Sequence, residues 1–170
     1  MTIEGIAQPE ILAISPTLRL RRYDGEDSYA LAWYRDKDLV WMVDAVRTSY
    51  DIEQIQFMYT YQEAHGELYW IEKREDTGWT PIGDVCLSKK DIAIVIGPTA
   101  ARGQGIGKQV LLCLVQRAKT LEWQALYVKD IYEWNEASQA LFIGVGFVPS
   151  EKTEQGHSYV LQLKEQILFE

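Results

Sequence analysis

From Ile92 to Lys108 the chain passes from a β-branched run, Ile92-Ala93-Ile94-Val95-Ile96, through Gly97 and Pro98 into Arg102-Gly103-Gln104-Gly105-Ile106-Gly107-Lys108. Behind it, Val110, Leu111, Leu114, Val115, Ala118 and Leu121 fall on one face of a helix. A strand that enters a glycine-rich turn and leaves as a helix carries unpaired backbone N–H groups at the helix start. There the macrodipole adds about half a positive charge. That is an anion site. Glycines at 103, 105 and 107 let the backbone approach a diphosphate closely, and Arg102 and Lys108 add positive charge.

Spacing excludes two other phosphate loops. A P-loop needs Gly where Arg102 stands and Ser or Thr where Gln109 stands. A dinucleotide fingerprint counted from Gly103 needs Gly where Lys108 stands. The turn is therefore read as a site for some other anionic cofactor, against the plainer alternative of a connector. The local cations matter because the chain as a whole is acidic. Its 17 Lys and Arg against 25 Asp and Glu give a net charge of −8. A field of that sign repels nucleic acid and anionic lipid and favours cationic partners.

The remainder reads as one domain. The 170 residues suit a single core, with residues 1–16 as an N-terminal extension and 17–170 as the domain. Leu18 and Leu20 alternate with Arg19 and Arg21 in a strand from Thr17 to Arg22. Tyr29, Ala30, Trp33 and Tyr34 predict a helix behind Asp27 and Ser28. Asp51 and Gln54 predict a capping box for a second helix with Ile52, Ile55 and Tyr59 on one stripe, ending at His65-Gly66. Strands are predicted over Leu68 to Arg74, Thr80 to Ser88 and Asp91 to Ile96, then over Gln124 to Asp130. A short helix spans Asn135 to Ile143, and closing strands lie near Phe147 and from Ser158 to Lys164. This order implies an α/β fold of the α+β type. Its mixed, mostly antiparallel central sheet has six to seven strands flanked by about four helices, with a parallel crossover through the helix behind the glycine turn.

Cys86 and Cys113 sit in apolar runs and read as buried free thiols. With only His65 and His157 beside them, no metal site is expected. No stretch approaches a membrane span, and Met1 to Ser15 lacks the basic start and apolar block of a secretory signal, so a cytoplasmic protein is expected.

The segment Arg102-Gly103-Gln104-Gly105-Ile106-Gly107 resembles the Arg/Gln-x-x-Gly-x-Gly/Ala signature of the GNAT superfamily of acetyl-CoA-dependent N-acetyltransferases. Asn135-Glu136-Ala137-Ser138-Gln139-Ala140-Leu141-Phe142 with Gly146-Phe147 is similar to the family's second segment. The resemblance implies that residues 102–108 hold the diphosphate of coenzyme A. It also implies that Ile94, Val95 and Ile96 offer an open strand edge to the pantetheine. Asn135, Ser138 and Phe142 would lie along that arm, Asn135 either as a plain N-cap or also as a pantetheine partner. Gly146 and Phe147 read as a helix stop and a core aromatic.

One residue departs from the family pattern. Many members carry Tyr at the position of Phe142 and use its hydroxyl to protonate the departing thiolate, so that role is empty or moved, with Tyr132 and Ser138 as substitutes. Exposing the lone pair of a lysine-like amine at pH 7 costs about 4.6 kcal/mol, whereas protonating a cysteine-like thiolate is worth only about 2 kcal/mol. The base therefore matters more than the acid. Asp84 and Asp130 are the candidate bases, each with a plain strand or bridging role as the alternative. The resemblance implies that Asp44 and Asp51 lie where the family usually shapes its acceptor site and could attract an ammonium group, against the plainer and favoured reading of a solvated charge or helix cap.

The expected reaction is acetyl transfer from acetyl-CoA, without a metal, to a primary amine on a cationic small molecule or a protein N-terminus. A non-catalytic acyl-CoA-binding module is the rival reading, and a glycine turn for another phosphate ligand is a third. No nucleic-acid or membrane partner is expected. The apolar region from Ser158 to Phe169 is compatible with a homodimer, as in many relatives.

Overall fold

A computed structural model describes residues 2–3 and 5–164, with side chains from residue 5 onward. A small hairpin, β1 (Thr2–Ile3) and β2 (Ile6–Ala7), precedes β3 (Ile11–Ser15) and β4 (Leu18–Arg22). Three helices follow, α1 (Ser28–Tyr34), α2 (Lys37–Asp44) and α3 (Ile52–His65). The meander β5 (Glu67–Glu75), β6 (Gly78–Leu87) and β7 (Ile92–Ile96) leads into α4 (Ile106–Thr120) and β8 (Ala125–Tyr132). Then come α5 (Glu136–Val145), β9 (Val148–Lys152) and β10 (Gly156–Gln162).

The strands form two sheets beside the hairpin, ordered β3-β4-β5-β6-β7 and β8-β10-β9, and every registered pairing is antiparallel. The expected α+β architecture, mostly antiparallel strands flanked by helices, is present, with its strands divided between two sheets. The connection β7-α4-β8 joins the two sheets, and no ladder links β7 to β8.

Side chains alternate across the five-stranded sheet, and that period of two generates two cores. Leu20, Tyr69, Ile71 and Val85 meet α4 and α5 on one face. Leu68, Trp70, Cys86 and Val95 meet α1, α2 and α3 on the other. A β-bulge in the β5–β6 pairing shifts this alternation by one residue on β6. It places Ile82 on the α4 face and Asp84 on the opposite one. The charged face of β4 is answered from β5. Glu72, 3% exposed, accepts from Arg19 Nε at 2.9 Å and Arg21 Nε at 3.0 Å. Two cations on one buried carboxylate keep it from being stranded in the sheet.

Several features of the fold differ from the sequence reading. Helix α2 escaped it because Leu39 and Val40 are its only buried residues, which leaves no long apolar stripe to detect. Strand β3, within the stretch read as an extension, pairs with β4 at the sheet edge. Ile52 is exposed, so the buried stripe of α3 is Ile55 and Tyr59. Asp27 flanks α1 but makes no capping bond and instead accepts the Tyr23 hydroxyl. β10 pairs on both sides, leaving β9 as the edge strand of its sheet. Residues 165–169 of the proposed dimer segment lie outside the described residues. No helix among the described residues is long and apolar enough to cross a membrane.

Candidate functional site

The helices differ at their N-termini. Asp36, Asp51 and Asn135 cap α2, α3 and α5 with side-chain oxygens, and Asp51 with Gln54 completes the capping box. α4, the longest at 15 residues, has Gly105 at its N-cap and no side-chain cap. Its first-turn N–H groups therefore have neither an intrahelical partner nor a capping side chain. Gly103 (φ +71°) and Gly105 (φ +75°) adopt the left-handed backbone, and a Cβ built at either would meet no atom within 4 Å. The turn is an open cradle of amides with Lys108 exposed in the first helical turn. That arrangement fits a diphosphate. Gly107 serves packing: a Cβ there would lie 3.0 Å from Leu141 on α5.

Beside the cradle, β7 and β8 are the facing edges of the two sheets. A side chain bridges them, since Lys129 N donates to Asp91 Oδ1 at 2.9 Å. Burial pushes the Asp91 carboxyl up, while that N–H and the Lys129 charge oppose the shift. The strands are thus clasped near the start of β7, with Ile94, Val95 and Ile96 on an edge that no ladder occupies. Gly83 allows β6 to approach, because a Cβ there would sit 2.1 Å from Val95 O. Gly97 carries the Trp33 ring against its Cα, where a Cβ would fall 2.2 Å from the indole.

The face opposite α4 is built from aromatic rings and acids. Asp84 is 1% exposed, and its Oδ2 accepts from Tyr59 Oη at 2.7 Å and Tyr34 Oη at 2.9 Å. Burial pushes its carboxyl up to about 6 against the two hydroxyl bonds, which pull it down. Tyr34 and Tyr59 are themselves pushed up, first by burial and then by the charge of Asp84. The Tyr34 ring stacks on Tyr50 at 5.5 Å, and the Tyr50 hydroxyl donates to Asp44. At the end of β8, Tyr132 stacks on Trp134 and Trp134 on Trp41, with centroids 4.9 and 4.5 Å apart. Burial, then the charges of Asp130 and Asp44, raise the Tyr132 hydroxyl, so it keeps its proton at neutral pH. A cavity of about 890 Å³ opens along α3 on this face. It reaches from Asp44 and Tyr50 past Phe57 and Tyr61 to Lys90 and Lys129.

The glycine turn follows directly on the end of β7, and two side chains of the expected set do not follow the expectation. Arg102 turns back, with Nη2 donating to Gly97 O at 2.8 Å and Nε to Ile96 O at 3.2 Å. Phe142 is a correction. It is 2% exposed and packs edge-on against Phe147 at 5.1 Å, a core role that offers no surface to a cofactor. Asn135 Oδ1 caps α5 through Ser138 N at 3.1 Å, and its Nδ2 donates to Met42 O at 3.2 Å. Ser138 stands in the first turn of α5, half-buried.

Asp84 is the second correction. Tyr34 and Tyr59 seal its carboxylate from any amine in the cavity. Asp130 is half-buried, and its Oδ1 accepts from Thr153 Oγ1 at 2.7 Å. Tyr50 at the cavity end carries no signal in the sequence, since only its hydrogen bond to Asp44 and its stacking on Tyr34 distinguish it. Both cysteines are free, Cys86 buried and Cys113 partly so. Among the described residues no group of three or more His, Cys, Asp or Glu could hold a metal ion.

Residues 17–148 match the family described as acetyltransferase (GNAT) domain, and the chain belongs to that family. No curated protein matches the sequence. Solved structures share the fold at low identity. A domain from Methanocaldococcus jannaschii is 20% identical, with 85% of this chain and 97% of that one covered and a TM-score of 0.76. Spermidine N-acetyltransferase from Vibrio cholerae in complex with CoA and spermine is 14% identical (88% and 97% covered, TM-score 0.68). An acetyl transferase from Salmonella typhimurium that modifies the N-terminal serine of ribosomal protein L7/L12 is 18% identical (90% and 97% covered, TM-score 0.63). Membership supports acetyl transfer from acetyl-CoA and does not name the acceptor.

Proposed function

We propose that this protein transfers an acetyl group from acetyl-CoA to a primary amine held in the cavity along α3. The observation that carries the proposal is the bare N-terminus of α4, opening beside a strand edge that no ladder occupies. The backbone amides of residues 103–108 and the charge of Lys108 hold the diphosphate. Bound acetyl-CoA supplies a carbonyl open to attack and a thiolate leaving group. A backbone N–H on the edge from Ile94 to Ile96 polarises that carbonyl, because donors fixed in advance cost no reorganisation during reaction.

Asp44, exposed at the cavity end with Tyr50 bonded to it, draws the ammonium and receives its proton. Removing that proton from a lysine-like amine at pH 7 costs about 4.6 kcal/mol, which makes it the harder of the two proton transfers. Tyr132 delivers a proton to the leaving sulfur. Asp130, the second carboxylate whose charge reaches Tyr132, is the alternative base. Asp84 positions rather than reacts: it fixes Tyr34, on which Tyr50 stacks. The amines bound or modified by the Vibrio and Salmonella relatives, a polyamine and a protein N-terminus, are consistent with an amine acceptor.

Release of CoA from acetyl-CoA across an amine panel tests the proposal. Acceptor-dependent release supports transfer. Tight binding with no turnover on any amine supports the rival, a CoA-binding module without catalysis.

A further inference from the structure

The cavity along α3 is polarised from end to end. At the N-terminal end of α3, Asp44 faces Tyr50 and Tyr132, while Asp51 and Glu53 lie beside it in the capping turn. The opposite end is fixed by strand register. Glu67 pairs with Leu87, so the turn after β6, with Lys89 and Lys90, abuts the C-terminus of α3 at His65 and Gly66. Lys129 joins that end through its backbone bond to Asp91. Among the described residues, the exposed Lys90 and Lys129 share that end with one lining carboxylate, Asp91. The wall between the ends is apolar and aromatic, with Phe57 77% and Tyr61 51% exposed one helical turn apart on α3.

We infer that the acceptor is an elongated zwitterion: an amine at the Asp44 end, an apolar or aromatic middle against Phe57 and Tyr61, and an anionic group near Lys90 and Lys129. This specificity rests on the transfer reading above. The two ends lie at the termini of the 14-residue α3, roughly 20 Å apart along the helix, so even with side chains reaching inward the acceptor must be longer than a single amino acid. A polyamine of that length would put its second ammonium among the lysines, where like charges repel. A short peptide has both the charges and the length, whereas a single amino acid has the charges without the length.

The test compares the tripeptide Gly-Phe-Gly with its C-terminal amide, the amino acid phenylalanine with its amide, and spermidine, on the wild-type protein and on Lys90→Glu/Lys129→Glu. Both lysines are exposed, and Lys90→Glu alone, on a turn, is the second variant should the pair fail to fold. An acid-to-amide ratio in kcat/KM of about fivefold, the size exposed ion pairs deliver, is expected for the acceptor of matching length. That ratio falls to one or below in the variant. A tripeptide preference supports the inference, and a phenylalanine preference overturns it, since that amino acid cannot span the two ends. Equal rates for acid and amide, or spermidine as the best acceptor, overturn the inference while leaving acetyl transfer standing. No CoA release with any of the five acceptors overturns the transfer reading and the inference together.

Discussion

The two faces of the sheet do different work with different materials. On the α4 face, the proposed cofactor cradle is backbone: glycines in left-handed conformation, an uncapped helix and an unpaired strand edge, all within residues 94–108. On the α3 face, the proposed acceptor cavity and the hydrogen bonds behind it are made of side chains that only folding unites. The Asp84 carboxylate is met by hydroxyls 50 and 25 residues away, and Asn135 reaches Met42 across 93 residues. A contiguous backbone device tolerates little change. A dispersed side-chain device can be retuned one residue at a time, which suits a fold whose donor stays fixed while its acceptor varies.

Gly105→Asp strikes the backbone side of this contrast hardest. A like charge about 4 Å from a diphosphate near a protein surface costs roughly 4 kcal/mol, so acetyl-CoA affinity drops about 1000-fold. Gly105→Asn carries the same left-handed strain without the charge and retains most of the affinity. Titration calorimetry on both variants separates strain from repulsion, and equal losses would show that the charge is not near the ligand.

Asp84→Asn probes the buried side. A carboxyl raised to about 6 in the folded state, from 3.8, binds its proton more tightly when folded. Its contribution to stability is fully present below pH 3.8 and is lost as pH rises through about 6. Denaturation at pH 4 and pH 7 will therefore show the variant gaining on the wild type by about 2 kcal/mol at the higher pH. A constant difference would mean that Asp84 titrates normally.

Tyr132→Phe lowers kcat by up to about 30-fold, the roughly 2 kcal/mol that proton delivery to a thiolate is worth at pH 7. Loss of acetyl-CoA binding instead of kcat would place Tyr132 in the cradle rather than at the sulfur. Phe57→Ala is the mildest change. With the ring 77% exposed, stability shifts by less than about 0.5 kcal/mol, and the effect is confined to a higher KM for acceptors with an apolar middle.

The same contrast governs what was legible in the sequence. The glycine turn, its helix, the capping box at Asp51 and the meander are local, and spacing alone revealed them. Phe142 stood in a recognisable segment, yet its burial against Phe147 depends on how α5 lies on the core, which no spacing records. Asp84 looked like an available carboxylate because Tyr34 and Tyr59, which seal it, are remote in the chain. Arg102 was read as a phosphate contact from its neighbours, while the carbonyls of Ile96 and Gly97 claim its guanidinium. The division into two sheets was equally hidden, since a missing ladder between β7 and β8 leaves no mark on either strand's sequence.

Calorimetric titration of the wild-type protein with acetyl-CoA and, separately, with S-acetylpantetheine, which lacks the diphosphate, tests the amide cradle most directly. Saturable binding of acetyl-CoA at least about 100-fold tighter than that of the truncated thioester, a gap of roughly 2.7 kcal/mol, is the predicted result. Equal affinity for the two, or no heat from acetyl-CoA at millimolar concentration, would contradict it.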